Sequence, residues 1–315
     1  MKKFTFIDLF AGIGGLRIPF DKKGECVFTS EINPSSREVY SNYFKEPLDS
    51  IHGDINDFIN PVPTDFPRHD LLLAGFPCQP FSHAGLRQGF EDIRGTLFFA
   101  IAAIAKARKP RVVLLENVKG LLHHDNGNTF FRIKETLESL GYVVHSKVLN
   151  ARDFGLAQNR NRLYIVAIRK TVAGASKYKF PEPTHDRNKL KVANFLDKNV
   201  SKEFTISDQL WKGHQERKDR NLARGVGFGF QAFDAKSTYV ATISARYYKD
   251  GSEALICQKG RNPRKLTPNE VRRLQGFPEG YPLHDSKVEA YKHLGNAVPV
   301  AVVAALAKTL EKYLS

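Results

Sequence analysis

The chain predicts an α/β protein: a doubly wound, mostly parallel sheet joined to a second, smaller and irregular domain. Three observations carry this expectation. Apolar runs of strand length recur through the first half with helical patterns between most of them. A glycine turn joins the first run to the first helical stretch. The periodicity stops near Pro181 and Pro183 and resumes only toward the C-terminus. Strand alternating with helix implies parallel strands, because each crossover returns the chain to the same edge.

Taken in order, buried strands are expected at residues 4–10, 26–30, 71–75, 112–116, 143–149 and 163–168. Helices are expected at 16–22, 35–43, 96–108 and 129–140, the third stopped by Pro110 and the fourth by Gly141. Residues 297–314 read as an Ala/Val/Leu-rich helix that buries against the sheet, so the chain crosses back. The expected domains are 1–183 with 284–315, and 184–283 between them.

The 315 residues hold 48 Lys or Arg against 33 Asp or Glu, a net charge of +15 that favours a polyanionic partner, nucleic acid ahead of an acidic membrane surface. Residues 185–283 contain 19 of the basic and 11 of the acidic residues, so more than half of the excess sits in under a third of the chain. The polyanion is expected there. No run approaches the roughly 18 apolar residues of a membrane span, and no signal peptide is visible, so the reading is cytoplasmic. Cys26, Cys78 and Cys257 lie far apart without a C-x-x-C pair, which argues against zinc or any other metal and for reduced thiols.

Phe10-Ala11-Gly12-Ile13-Gly14-Gly15 follows a strand and opens a helix, a context in which a ligand can approach the backbone closely. The residue three after Gly14 is Arg17 rather than glycine or alanine, which disfavours a dinucleotide pyrophosphate. Glu31 and Asp54 stand near the ends of the next two strand units, placed to accept from ribose hydroxyls and an adenine amino group. A phosphate-free adenosyl cofactor fits; a structural turn beside two solvated acids is the competing reading.

Gly75-Phe76-Pro77-Cys78-Gln79-Pro80-Phe81-Ser82 puts Cys78 on a proline-stiffened loop at the sheet edge where α/β proteins bind ligands. A lone cysteine is ordinarily a small buried hydrophobe, but this placement favours a nucleophile. A thiolate adding at C6 of cytosine makes the ring an enamine, nucleophilic at C5. An acid at N3 assists, and Glu116 ends the strand at 112–116. Burial against the base would raise the Glu116 pKa and keep its proton available. Arg160 and Arg162, two residues apart on one strand face, could hold the base O2 and a backbone phosphate. Residues 79–97, spaced by Gly85, Gly89 and Gly95, are too long for a plain connection and suit a closing lid. A cytosine stacked in a duplex would have to flip out to reach Cys78.

These motifs resemble those of the bacterial DNA (cytosine-5) methyltransferases of restriction–modification systems. They occur in that family's order over nearly the whole chain: 6–15, 75–82, Glu116-Asn117-Val118, 158–162, 264–278, and Gly295-Asn296-Ala297-Val298-Pro299. The resemblance implies a Rossmann-like methyltransferase sheet and S-adenosyl-L-methionine as cofactor, held by Phe10, Gly12, Gly14, Glu31, Ile32, Asp54, Ile55, Pro77, Leu97, Asn296 and Val298. Ile32 stands where relatives often carry an aromatic that stacks on adenine, so plain apolar packing is expected.

By the same resemblance the stretch between 162 and 264 recognises the target, with Thr242-Ile243 as its characteristic pair. Residues 225–230 and 245–251 are similar to those of enzymes reading C-rich palindromes such as CCGG or CCNGG. Ser82, Gln158, Arg224, Thr242, Arg246, Tyr247 and Lys249 are expected at the DNA, with Arg246 or Lys249 reaching O6 and N7 of guanine and basic neighbours gripping phosphates. The implied partners are double-stranded DNA and a restriction endonuclease sharing the site; a monomer without an added regulatory domain or membrane contact is expected. Two other readings compete: a catalytically silent DNA-binding protein, opposed by intact Cys78, Glu116 and Arg162, and an RNA (tRNA) cytosine-C5 methyltransferase, opposed by the long basic region. Exocyclic-amine methylation is excluded, because no Asp or Asn precedes Pro-Pro-aromatic.

Overall fold

The computed structural model describes residues 3–59, 61–77, 97–227 and 229–315. It divides into two compact units: Met1–Leu149, Asn161–Glu182 and Val302–Ser315 form the first, Asn150–Arg160 and Pro183–Ala301 the second. Residues 150–160 and 284–301 thus group with the second unit, whereas the sequence assigned them to the first domain. Arg160 explains this. Its buried guanidinium donates to the carbonyls of Ile243 at 3.0 Å and of Gly295 and Ala297 at 2.8 Å, tying three distant segments together.

The first unit is built on seven strands: β1 (Phe4–Leu9), β2 (Gly24–Ser30), β3 (Ile51–His52), β4 (Leu71–Gly75), β5 (Val112–Val118), β6 (Tyr142–Asn150) and β7 (Asn161–Arg169). Their order is β3-β2-β1-β4-β5-β7-β6, parallel from β3 through β5. β7 departs from the parallel set expected: it runs antiparallel to β5, with Glu116 opposite Tyr164 and Val118 opposite Arg162. A strand buried on both faces reads as the same apolar run in either direction, so sequence could not distinguish the two. The two-residue β3 is too short to leave a pattern.

Four helices cover this sheet in chain order: α1 (Ile18–Asp21), α2 (Pro34–Phe44), α3 (Leu97–Arg108) and α4 (Asn128–Ser139). α2 begins where the Asn33 side chain accepts from the amides of Ser35 and Ser36, with Pro34 preset for the first turn. α3 is apolar all round and buried from Phe98 through Ala105, as a central crossover must be. It packs with Ile7, Leu9, Leu72, Ala74, Val113 and Leu115 into one core.

Residues 184–283 were expected to lack sustained structure, yet they contain α5 (Asp208–Ala223) and α6 (Pro268–Leu274); α7 (Lys287–Asn296) follows in the same unit. A three-stranded sheet accompanies them, β8 (Ala232–Phe233), β9 (Leu255–Gln258) and β10 (Arg261–Arg264), ordered β10-β9-β8. α5 is too polar to show an apolar period; its start is set by the Ser207 hydroxyl accepting from the Leu210 amide. α6 opens with a capping box between Thr267 and Glu270.

The last helix, α8 (Val300–Leu314), follows α7 after a break at 297–299. Together, Lys287–Leu314 is long and apolar enough to cross a membrane, an exception to the sequence expectation, but it is mostly buried within the protein.

Candidate active site

At the end of β1 the chain reverses through three left-handed residues, Phe10 (φ 54°), Gly12 (φ 54°) and Gly14 (φ 80°). Glu31, just past β2, holds this turn: one carboxylate oxygen accepts from the Gly12 amide at 2.7 Å, the other from the Asn33 amide at 2.8 Å. The two glycines differ. A Cβ on Gly12 would meet nothing within 4 Å, leaving an open cradle, whereas one on Gly14 would sit 2.4 Å from a Phe44 ring carbon. Ile32 is exposed beside the turn. Asp54 accepts from the Asn56 amide and so starts the short turn Ile55–Phe58. Ile55 buries its side chain in the core. Pro77 is exposed and Leu97 half-buried at the first position of α3. Asn296, exposed, and Val298, buried, belong to the second unit.

Beneath the glycine turn lies a buried polar network that sequence reading missed. Tyr40 of α2 donates its single hydroxyl proton to Asp8 at 3.2 Å and accepts from Arg17 at 3.0 Å and from Thr29 at 3.2 Å. Arg17 also pairs with Asp21 at 2.9 Å and Glu46 at 2.6 Å, and lies 3.9 Å from the Phe44 ring centre. Tyr40 packs with Ala11 and Ile51, so one side chain supports the turn and anchors the network. Burial pushes the Asp8 carboxyl up to about 8 despite the opposing Arg17 charge. The visible signal was an aspartate inside an otherwise apolar strand.

Farther along the same edge, β4 runs out at Gly75 and Phe76. Asn117 of β5 donates to the Phe76 carbonyl at 2.8 Å and accepts from the Val118 amide at 2.8 Å, which fixes the chain immediately before Pro77. Cys78, Ser82 and most of the expected lid lie outside the described residues. Glu116 is nearly buried, and its carboxylate meets Arg162 Nε at 3.1 Å. Arg162 also donates to the Asn161 carbonyl. In the antiparallel β5–β7 pairing Arg162 stands opposite Val118, two residues along β5 from Glu116, which brings the two side chains together. Cys26 is no rival nucleophile: burial pushes its thiol up to about 11. Cys257 is exposed on β9.

Four residues expected at ligands make hydrogen bonds within the second unit. Arg160 donates to three carbonyls, as above. Gln158 is fully buried, donating to the Leu274 carbonyl and accepting from the Ile243 amide. Tyr247 is fully buried too, donating to the Ala254 carbonyl at 2.8 Å and accepting from the Leu266 amide at 2.8 Å. The Thr242 hydroxyl donates to the Asn159 carbonyl at 2.6 Å. Arg224, Arg246 and Lys249 are exposed. The 264–278 motif is likewise a scaffold: Glu270, fully buried, takes a two-pronged contact from Arg264 at 2.7 and 2.8 Å and the amides of Thr267 and Asp197.

The open turn at Gly12 held by Glu31 and the nearly buried Glu116–Arg162 pair belong to the same sheet, the arrangement of an α/β enzyme with its site at the strand ends. The chain belongs to the C-5 cytosine-specific DNA methylases, whose family model matches residues 4–312. Among its relatives, the Type II methyltransferase M1.ScrFI of Lactococcus lactis subsp. cremoris is 49% identical over 99% of this chain and 79% of its own length. M.NlaX of Neisseria lactamica is 48% identical, covering 99% and 97%. The fold is also that of the S. pombe Dnmt2 methyltransferase, with a TM-score of 0.76 at 19% identity and 98% of both chains aligned. The Entamoeba histolytica methyltransferase EhMeth aligns over 98% of both chains with a TM-score of 0.74 at 21% identity. The protein is therefore a DNA cytosine-C5 methyltransferase of the restriction–modification type, and S-adenosylmethionine is its methyl donor. The cradle, Glu31, Asp54 and the exposed Ile32 fit an adenosyl group.

Proposed function

We propose that the first unit binds S-adenosylmethionine and performs the chemistry through Cys78 and Glu116, while the second unit reads a short duplex sequence. The contact between Glu116 and Arg162, beside the chain entering the Cys78 loop, is the observation that carries this reading.

Glu31 and Asp54 accept from the ribose hydroxyls and the adenine amino group, Gly12 admits the nucleoside against backbone, and Ile32 packs on the ring. When bound, the cofactor supplies an electrophilic sulfonium methyl for C5. The Cys78 thiolate adds to C6 of a flipped cytosine while Glu116 delivers a proton to N3, leaving the C4–C5 bond as the nucleophilic enamine. After C5 is substituted, its proton leaves to water, the electrons re-form the C5–C6 double bond, the C6–S bond breaks to release the thiolate, and the N3 proton returns to the Glu116 carboxylate. Arg162 positions the Glu116 carboxyl, and Asn117 positions the chain leading to Cys78.

Arg246, Lys249 and Arg224 contact the DNA, the first two in the major groove, at a C-rich palindrome such as CCGG or CCNGG. The protein acts as a monomer in the cytoplasm on nucleoid DNA, with a restriction endonuclease of the same specificity as its genetic partner. Bisulfite sequencing of plasmid DNA incubated with the enzyme and cofactor tests this directly. We expect 5-methylcytosine in one short sequence, none with Cys78→Ala, and retained DNA binding by that variant. Loss of binding instead would remove the nucleophile assignment. Glu116→Gln should lower kcat by about 10²-fold or more with DNA binding kept; an unchanged kcat and pH–rate profile would remove the acid.

A further inference from the structure

The exposed turn carrying Arg246 and Lys249 is joined to α5 by three side chains that nothing above accounts for. His214, in the middle of α5, is 1% exposed. Its Nε2 lies 3.2 Å from the carbonyl oxygen of Asp250, and its Nδ1 lies 2.8 Å from Arg217 Nη2. Arg217, one turn on, reaches the Asp250 carboxylate at 3.1 Å, and the other oxygen of that carboxylate accepts from the Ser252 amide at 3.1 Å.

These contacts settle the tautomer. A guanidinium can only donate, so Nδ1 must be the bare, accepting nitrogen, and Nε2 carries the proton given to the Asp250 carbonyl. The imidazole is therefore neutral, and burial, which lowers its pKa, keeps it so. A second proton would set an N–H against the Arg217 guanidinium.

The same helix also meets Gly229 and Phe230, from the glycine-rich stretch. The Phe230 ring packs 4.8 Å from the Trp211 ring and 6.0 Å from the His214 ring, with Lys218 Nζ 5.1 Å above it. Gly229 (φ 71°) lies so close that a Cβ would fall 2.5 Å from Lys218 Cα. From Phe230 the chain continues to Gln231, whose amide donates to the Ser252 carbonyl at 2.8 Å. His214 thus sits where both candidate DNA-facing segments meet the helix.

We infer that His214 is a positioning residue for sequence recognition: with Arg217 it locks the Arg246–Lys249 turn onto α5, fixing the angle at which those cations meet the bases. This rests on the proposal that the turn reads DNA. The brace touches no DNA itself, and it acts through Asp250, one residue beyond Lys249. A turn free to tilt would still grip phosphates but would lose the fixed geometry that two-pronged contact to guanine requires.

The test uses the full-length enzyme, reading KM for DNA, kcat, cofactor Kd, and the ratio of methylation at the preferred site to sites differing by one base. For His214→Ala we expect KM for DNA to rise about tenfold, as the loss of one or two buried hydrogen bonds implies. The preferred-site ratio should fall, with cofactor Kd within about twofold of the wild type. His214→Gln, whose amide can both donate to the Asp250 carbonyl and accept from Arg217, should restore most of the ratio. Unchanged KM and ratio in His214→Ala would overturn the brace, as would a Gln variant no better than Ala. Arg246→Ala and Lys249→Ala, run alongside, separate the two levels: if they lower the ratio and His214→Ala does not, the brace fails; if neither lowers it, the DNA-reading assignment of the turn fails. Should His214→Ala not fold, judged by loss of the cooperative urea transition in Trp211 fluorescence, Arg217→Met removes the same lock and is read identically.

Discussion

In the first unit, the glycine turn extends from a sheet whose central strands are almost wholly apolar and buried; Glu31 holds it with both carboxylate oxygens, and Tyr40 packs beneath it. In the second unit, buried polar groups hold the chain: Arg160, Gln158, Tyr247 and His214 around the turn at Arg246, and the Arg264–Glu270 pair within the 264–278 motif. Apolar burial is non-directional, so the first scaffold tolerates shape-conserving exchange. Hydrogen-bonded hubs are directional, and removing one partner strands the other in a low-dielectric interior. A catalytic sheet shared across a family can be of the first kind. A region that must present different side chains to different DNA sequences gains from the second, because its exposed turns can vary while the hubs hold their ends.

The sharpest way to break that contrast is to cut a hub. Glu270→Ala leaves Arg264 buried with its principal partner gone, and the expected cost is about 3–5 kcal/mol. Urea unfolding followed by Trp211 fluorescence would report it, since Trp211 is the chain's single tryptophan and lies in the second unit. Replacing both partners together, Arg264→Met with Glu270→Leu, should recover most of the loss, because no charge is then left unpaired. A cost below about 1 kcal/mol for Glu270→Ala would mean the pair is ornamental, and the comparison of scaffolds would fail with it.

A smaller effect sharpens the first half of the comparison. Gly12 and Gly14 both occupy left-handed backbone, where a side chain costs about 1–2 kcal/mol, but their surroundings differ. Gly14→Ala must also displace Phe44 and Tyr40, so melting temperature and cofactor affinity should both fall. Gly12→Ala puts its methyl into the open cradle, and cofactor affinity should fall about tenfold or more with a smaller loss of melting temperature. Calorimetric titration with S-adenosylmethionine and a thermal melt on each variant separate the two. Equal melting losses with unchanged affinity for Gly12→Ala would show that the cradle faces no ligand.

What was legible in the sequence follows the same division. The strands at 71–75 and 112–116 and the helix at α3 were readable because each is a run that must be apolar. The sense of β7 was not readable, since burial on both faces leaves no directional trace, and with it went the reason Arg162 meets Glu116. Glu116, Arg162, Glu31 and Asp54 could be picked out as polar groups at strand ends. The second unit hid its helices because α5 is anchored by Trp211 and His214 rather than by an apolar stripe. Its motif residues Arg160, Gln158 and Tyr247 were assigned to ligands for a related reason: a polar side chain in a recurring motif looks the same whether it faces DNA or a buried carbonyl. Only the hydrogen-bond partners distinguish the two.

The smallest effect concerns the exception within the apolar unit, the Asp8 carboxyl. One of its oxygens accepts from Tyr40; the other finds no hydrogen-bond partner among the described residues. Burial raises its pKa to about 8, from roughly 3.9 in the unfolded chain. Between those values the folded protein holds a proton that the unfolded chain has released, so this group's contribution to stability is full below about pH 4 and is lost as pH rises through about 8. Asp8→Asn keeps the shape without the titration. Its melting temperature should therefore fall less than the wild type's between pH 6 and pH 9, by a few degrees, with the variants closest at the acid end of that range. Parallel melting curves across it would mean that Arg17 and Tyr40 keep Asp8 ionised at neutral pH. The network beneath the cofactor turn would then be a charged hub of the kind found in the second unit, and the contrast between the two scaffolds would narrow to the sheet alone.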